Sequence, residues 1–196
     1  MNIEVSLGEA MDKLSILELK MQKICDENKR SEIQIEINAL NICRNYNRDN
    51  LYYKLLMYVN EEIWDMTDVI MGIAVEDPRF AQLSKKIFEF NQKRFRVKNW
   101  FNLMTKSNKM QQKSYSLSRC EVSISSEDVF YNKISEILFL SLEYDVITIV
   151  SNFNDKIMRI FHIPTITYST FNDMNHAPSI LLENFEIPDK NIRHIF

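Results

Sequence analysis

The sequence predicts a mainly helical α+β protein. An antiparallel bundle of about four helices occupies residues 1–107, a linker follows at 108–118, and a small three-stranded α/β part fills 119–196. Three observations carry that prediction. Through the first half, apolar residues recur at steps of three and four, which sets them on one stripe of a helix. That spacing is lost between Thr105 and Ser118, where Ser, Asn, Gln and Lys dominate. Beyond it, short β-branched runs alternate with a helical pattern, as parallel strands joined by right-handed crossovers would.

The first helix is read from Ser6 to Ile24, with Leu7, Ala10, Leu14, Leu17, Met21 and Ile24 as its seam. Ser6 and Glu9 form a capping box: the Ser accepts a first-turn amide and the Glu reaches back to the cap. A second helix runs from about Arg30 to Tyr46, and its stripe of Ile33, Ile37 and Leu40 fails at Arg44. Asn47 to Asn50 stops it and supplies the next cap. The third helix carries Tyr52, Leu56, Val59, Ile63, Met66 and Ile70, and Gly72 is placed to end it or to loosen its last turn. Asp77 and Pro78 open the fourth, the Asp as cap and the Pro at the first helical position. Its stripe is Phe80, Leu83, Ile87, Phe90, Arg94, Val97, Phe101 and Met104. The second helix has the shortest stripe, so one side of the bundle is thinly covered and the chain is expected to self-associate as a homodimer.

In the last third, Cys120 to Ser125 alternates like a strand, and Val129 to Tyr144 reads as one amphipathic helix. Val146–Val150 is β-branched and short enough for a buried strand. A brief helix is expected at Asn154–Phe161 and a third strand at Thr165–Tyr168. Beyond Ser169 the pattern is that of a loop, with one more turn near Leu181.

Composition removes several function classes. The chain has two glycines, Gly8 and Gly72, so no glycine-rich phosphate loop can be written. Cys25, Cys43 and Cys120 are isolated from one another and from histidine, which argues for reduced thiols in the cytoplasm and against a zinc site. His162, His176 and His194 show no metal-ligand spacing, and Asp173 with His176 is too loose a pair to make a catalytic dyad. The N-terminus lacks a signal peptide's basic and apolar regions, and no apolar run approaches the ~20 residues of a membrane helix. No catalytic set, metal or cofactor is expected. Heavy use of Ile, Asn, Lys, Phe and Tyr points to an AT-rich genome.

The charge is unevenly spread. From Lys85 to Arg119 there are ten basic residues against one acid, Glu89, with Phe88, Phe90, Phe95, Trp100, Phe101 and Tyr115 interleaved. Cations with rings suit a nucleotide or single-stranded nucleic acid. Residues 1–77, however, hold fifteen acids and eight bases, so a basic helix packed on an acidic bundle outweighs an external partner, nucleic acid least of all. Arg94 interrupts an apolar seam, and an unpaired buried charge is too costly to keep. Either the stripe is exposed there or a carboxylate meets it, with Glu18 as the expected partner and otherwise Glu62 or Asp65. The functional alternative is an anion pocket formed with Lys93 and Arg96. In the α/β part, a ligand would sit beyond the carboxyl ends of the strands, near Ser125, Ser126 and Asn152. Ser125 and Ser126 stand at a helix start, where free amides favour an anion. Glu127 and Asp128 follow and would repel one, so helix capping is the preferred role.

The opening Val5-Ser-Leu-Gly-Glu-Ala-Met-Asp-Lys-Leu-Ser-Ile-Leu-Glu-Leu-Lys20 resembles the start of a family of uncharacterised bacterial and giant-virus proteins, similar to V-G-E-L-x-D-K-x-T-I-L-E-I-K. Gly8, Glu9, Asp12, Lys13, Ile16, Leu17, Glu18 and Lys20 match that pattern. Phe90 to Arg96 and Lys113-Ser114-Tyr115 look like later parts of the same domain, so the resemblance spans about residues 5–115. It implies no activity, because the family's own is unassigned. The remainder looks, in topology, like a fragment of a nucleotide-sugar glycosyltransferase of the two-Rossmann-domain type, which implies nucleotide-sugar binding. Helical chorismate mutases share a long opening helix but need an arginine early in it, and the first arginine here is Arg30. The leading expectation is a non-catalytic helical interaction and oligomerisation module with an α/β appendage. The alternative is a protein binding a nucleotide sugar or another anion.

Overall fold

The computed structural model describes residues 4–41, 43, 50–107, 117–154, 157, 166–169, 179–188 and 190–195. The chain divides into two compact units, Met1–Gln111 and Gln112–Phe196. Most of the predicted linker, the Arg44 end of the second helix's stripe, most of the predicted helix at Asn154–Phe161, and the residues His162, Asp173 and His176 lie outside the described residues. The protein is α+β and mainly helical. Among the described residues no helix is long and apolar enough to cross a membrane.

The first unit contains α1 (Leu7–Lys23), α2 (Glu27–Ala39), α3 (Leu51–Met71) and α4 (Pro78–Met104). Each begins on a polar cap: Ser6, Asp26, Asn50 and Asp77 all accept amides of the first turn. The Glu9 side chain does not reach back to the cap as expected. It extends to Lys98 on α4, with Nζ to Oε1 at 2.8 Å. α3 and α4 form an antiparallel hairpin, fixed by Tyr52 against Trp100 (ring centroids 5.3 Å apart) and Tyr58 against Phe90 (6.1 Å). α1 passes from one arm to the other. Its first turns meet α4 between Arg94 and Asn102, and its later turns meet α3 between Tyr53 and Asp65. α2 covers α1 with Ile33 and Ile37. The core is built from Met11, Leu14, Leu17, Leu19, Leu55, Leu56, Val59, Val97, Trp100 and Phe101.

The second unit holds β1 (Arg119–Ser123), α5 (Glu127–Asn132), α6 (Ile134–Glu143), β2 (Val146–Val150), β3 (Ile166–Ser169), β4 (Ser179–Leu181) and α7 (Lys190–Arg193). Two expectations are corrected here. The sheet has four strands, because β4 forms where a loop was expected, and the helix predicted at Val129–Tyr144 is two helices that meet at Lys133. The strands run in the order β3-β2-β1-β4, all parallel. Register sets Cys120 beside Ile147 and Val122 beside Ile149, with Ile166 and Tyr168 continuing that face. Glu121, Thr148 and Thr167 share the opposite face, where the two Thr hydroxyls lie 3.0 Å apart. Ser118 and Asp145 lock the starts of β1 and β2, since the Asp145 carboxylate accepts both the amide and the hydroxyl of Ser118 at 2.9 Å.

Candidate functional site

A buried polar cluster of the helical unit is built on the stripe Gly8, Asp12, Ser15 and Leu19 of α1, which turns with the helix in steps of four, three and four. Gly8 makes the approach of α1 to α4 possible. A Cβ there would stand 2.3 Å from the Lys98 carbonyl oxygen and 2.8 Å from Asn102 Oδ1. Instead its amide donates to Asn102 Oδ1 at 2.8 Å. One turn on, Asp12 is buried, with its side chain 4% exposed. Arg94 grips it with two nitrogens, Nε at 2.9 and 3.0 Å from the two carboxylate oxygens and Nη2 at 2.8 Å from Oδ2. Asn60 Nδ2 donates to Asp12 Oδ1 at 3.0 Å and to Ser15 Oγ at 2.8 Å, and Lys98 Nζ stands 3.7 Å from Asp12 Oδ2. The cluster Glu9, Asp12, Arg94 and Lys98 sums to zero charge, and a bidentate guanidinium–carboxylate pair is the form of ion pair best suited to burial.

Asp12 is therefore the carboxylate that answers Arg94, in place of the expected Glu18, Glu62 or Asp65. The path of α1 explains the difference. Glu18 lies beyond the crossing and accepts the Tyr53 hydroxyl at 2.7 Å, while Asp65 pairs with Lys23. Glu62 is half-buried on α3. The other two residues proposed with Arg94 go elsewhere: the Lys93 ammonium sits 4.7 Å from the centre of the Phe90 ring, and Arg96 is buried.

Beside this cluster a groove of about 290 Å³ opens between α1, α3 and α4. Ile16, Leu19, Ile63 and Trp64 make its apolar wall, with Asn60, Thr67, Asp68 and Arg94 at the edges. The Trp64 indole nitrogen donates to Asp68 at 2.8 Å. From the groove outward the hairpin loses its cover. From Thr67 to Phe95 no residue is buried, although the stretch contains Ile70, Leu83, Ile87, Phe88 and Phe90. Val69, Met71, Val75 and Phe88 are exposed outright, Phe88 by 62%.

In the second unit, Ser125 and Ser126 follow β1 at the place where the strand order reverses. Ser126 caps α5, its hydroxyl accepting the Val129 amide at 3.2 Å. The Ser125 amide donates to Glu183 Oε1 at 3.0 Å. Hydrogen bonding from Ser125 holds the Glu183 carboxyl below its ordinary range. The anion at this helix start is thus the protein's own. Asn152, the third residue proposed here, is exposed after β2. Among the described residues no group of three or more His, Cys, Asp or Glu side chains could hold a metal ion.

Residues 1–138 match the model of a family of unknown function, DUF6165. The match runs past the helical unit, through β1 and α5 and into α6. No curated protein and no solved structure matches the chain.

Proposed function

We propose a function for this chain from its geometry, because the chain belongs to the DUF6165 family of unknown function and membership brings no activity with it. The chain is a non-catalytic helical association module, and the surface it associates through is the outer half of the α3–α4 hairpin. One observation carries this. The 29 residues from Thr67 to Phe95 contain no buried residue, yet they hold two antiparallel helices with apolar side chains at helical spacing. Two helices cannot shield such residues by themselves, and most of a helix's stability comes from packing an apolar face. Stable interfaces use roughly 20–30 residues a side, which is the size of this arm. The partner is a second copy of the chain, docked hairpin on hairpin.

A second reading is favoured by one feature of the α/β unit. The order β3-β2-β1-β4, all parallel, reverses between β1 and β4, and ligands of doubly wound sheets bind at such a switch point. A nucleotide sugar or related anion would sit there, near Ser125, Ser126 and Asn152. The Glu183 carboxylate already holds the Ser125 amide, so an anion would have to displace it. That ranks this reading second.

Molar mass by light scattering at tens of micromolar tests the first reading. A dimer is expected, and Val69→Ser with Phe88→Ser should shift it towards monomer, since both side chains are exposed and their loss leaves the core intact. A wild-type monomer would overturn association. Stabilisation by nucleotides or nucleotide sugars in a thermal-shift screen would favour the second reading instead.

A further inference from the structure

We infer that the second copy docks with its α4 against α3 of the first, in an isologous pair whose register is set by charge; this rests on the association reading above. The two arms of the hairpin carry opposite charge. From Asn60 to Met71, α3 has four acids, Glu61, Glu62, Asp65 and Asp68, and no base. From Pro78 to Lys93, α4 has four bases, Arg79, Lys85, Lys86 and Lys93, and one acid, Glu89. Part of this charge is used within the chain: Asp65 and Glu61 both pair with Lys23, Arg79 with Asp77, and Lys85 stands 3.9 Å from Glu89. The imbalance between the arms remains, and Lys85, Lys86, Glu61, Asp65 and Asp68 are all exposed.

When two hairpins pack face to face about a two-fold axis, each helix gains one lateral neighbour from the other copy. Either like arms meet, α3 on α3 and α4 on α4, or unlike arms meet. The first choice sets acids on acids and bases on bases along the apolar seam. The second makes both contacts attractive at once, because a two-fold axis repeats every contact with the roles exchanged. Like-charge juxtaposition suppresses the wrong pairing, and complementary potentials fix register. A wholly acidic or wholly basic helix would complement one arm and be repelled by the other.

Two charge-reversed chains test the arrangement. One carries Lys85→Glu and Lys86→Glu, so both its arms are acidic; the other carries Glu61→Lys, Asp65→Lys and Asp68→Lys, so α3 becomes basic beside a basic α4. Sedimentation equilibrium at low salt is run on wild type, each variant and their equimolar mixture, with helical circular dichroism confirming that each variant folds. Each variant alone should self-associate at least about tenfold more weakly than wild type, and the mixture should form a dimer close to wild-type strength. Variants that dimerise like wild type, or a mixture of folded variants that stays monomeric, would overturn the charge register while leaving association standing. A monomeric wild type would instead remove the association reading on which it rests.

Discussion

Asp12 loses nearly all its water yet keeps its charge matched, because α1 delivers it to Arg94 on one arm of the hairpin and Asn60 on the other. Removing Arg94 would leave that carboxylate with Asn60 and a more distant Lys98. Arg94→Met should therefore destabilise by about 3 kcal/mol, at the low end for breaking a buried pair. Combining it with Asp12→Leu should cost clearly less than the two single changes summed, as read by urea unfolding; strict additivity would contradict the pair. Gly8→Ala should cost about 2 kcal/mol, since the new methyl meets backbone and α1 must shift to admit it. The thiols give a further check. Burial, with the Glu121 charge adding to it, pushes the Cys120 thiol up to about 11, and burial raises Cys43 as well, while Cys25 is exposed. An aromatic disulfide reagent at pH 8 should titrate Cys25 quickly and the other two only on unfolding. The need for a carboxylate at Arg94 was legible in the sequence from its seam position. The identity of that carboxylate was not. Asp12 and its neighbours Gly8 and Ser15 are polar or small, so a search for apolar periodicity passes over the stripe they form.

At the scale of elements, the α3–α4 hairpin is defined by its caps, and these were readable: Asp77 caps α4 as expected, and the α3 cap, Asn50, falls within the Asn47–Asn50 stretch. Asp77 accepts the Arg79 guanidinium and then its amide, which lower its carboxyl from 3.8 to about 2. A carboxyl lowered on folding contributes fully above 3.8 and loses its contribution as pH falls from there through about 2. An NMR titration should accordingly find the Asp77 midpoint near 2, and a midpoint at or above 3.8 would contradict the cap. Two elements of the α/β unit were not legible. β4 is three residues long, too short for alternation to register, and it becomes a strand only because β1 offers its free edge. The break between α5 and α6 at Lys133 has no proline, glycine or side-chain cap to announce it. Lys133 is held there by a tertiary contact, its ammonium donating to the Phe185 carbonyl at 2.7 Å.

For the whole molecule, the chain divides into two compact units, Met1–Gln111 and Gln112–Phe196. The side of the helical unit that lacks cover was expected next to α2, whose stripe is shortest. The outer hairpin lacks cover as well, because α1 lies across the arms on their inner side and α2 packs on α1, itself burying only Ile33 and Ile37. Helix length hid this: a seam read along α3 and α4 looks continuous, and nothing in one helix's spacing says where its neighbour ends. The central claim is that a second copy covers Thr67–Phe95. Amide hydrogen exchange of that stretch, measured well above and well below the association midpoint, tests it most directly. The account predicts strong protection across α3 after Thr67 and α4 before Phe95 at high concentration, falling on dilution while the amides of α1 stay protected. Protection of the arm that does not change with concentration would contradict it.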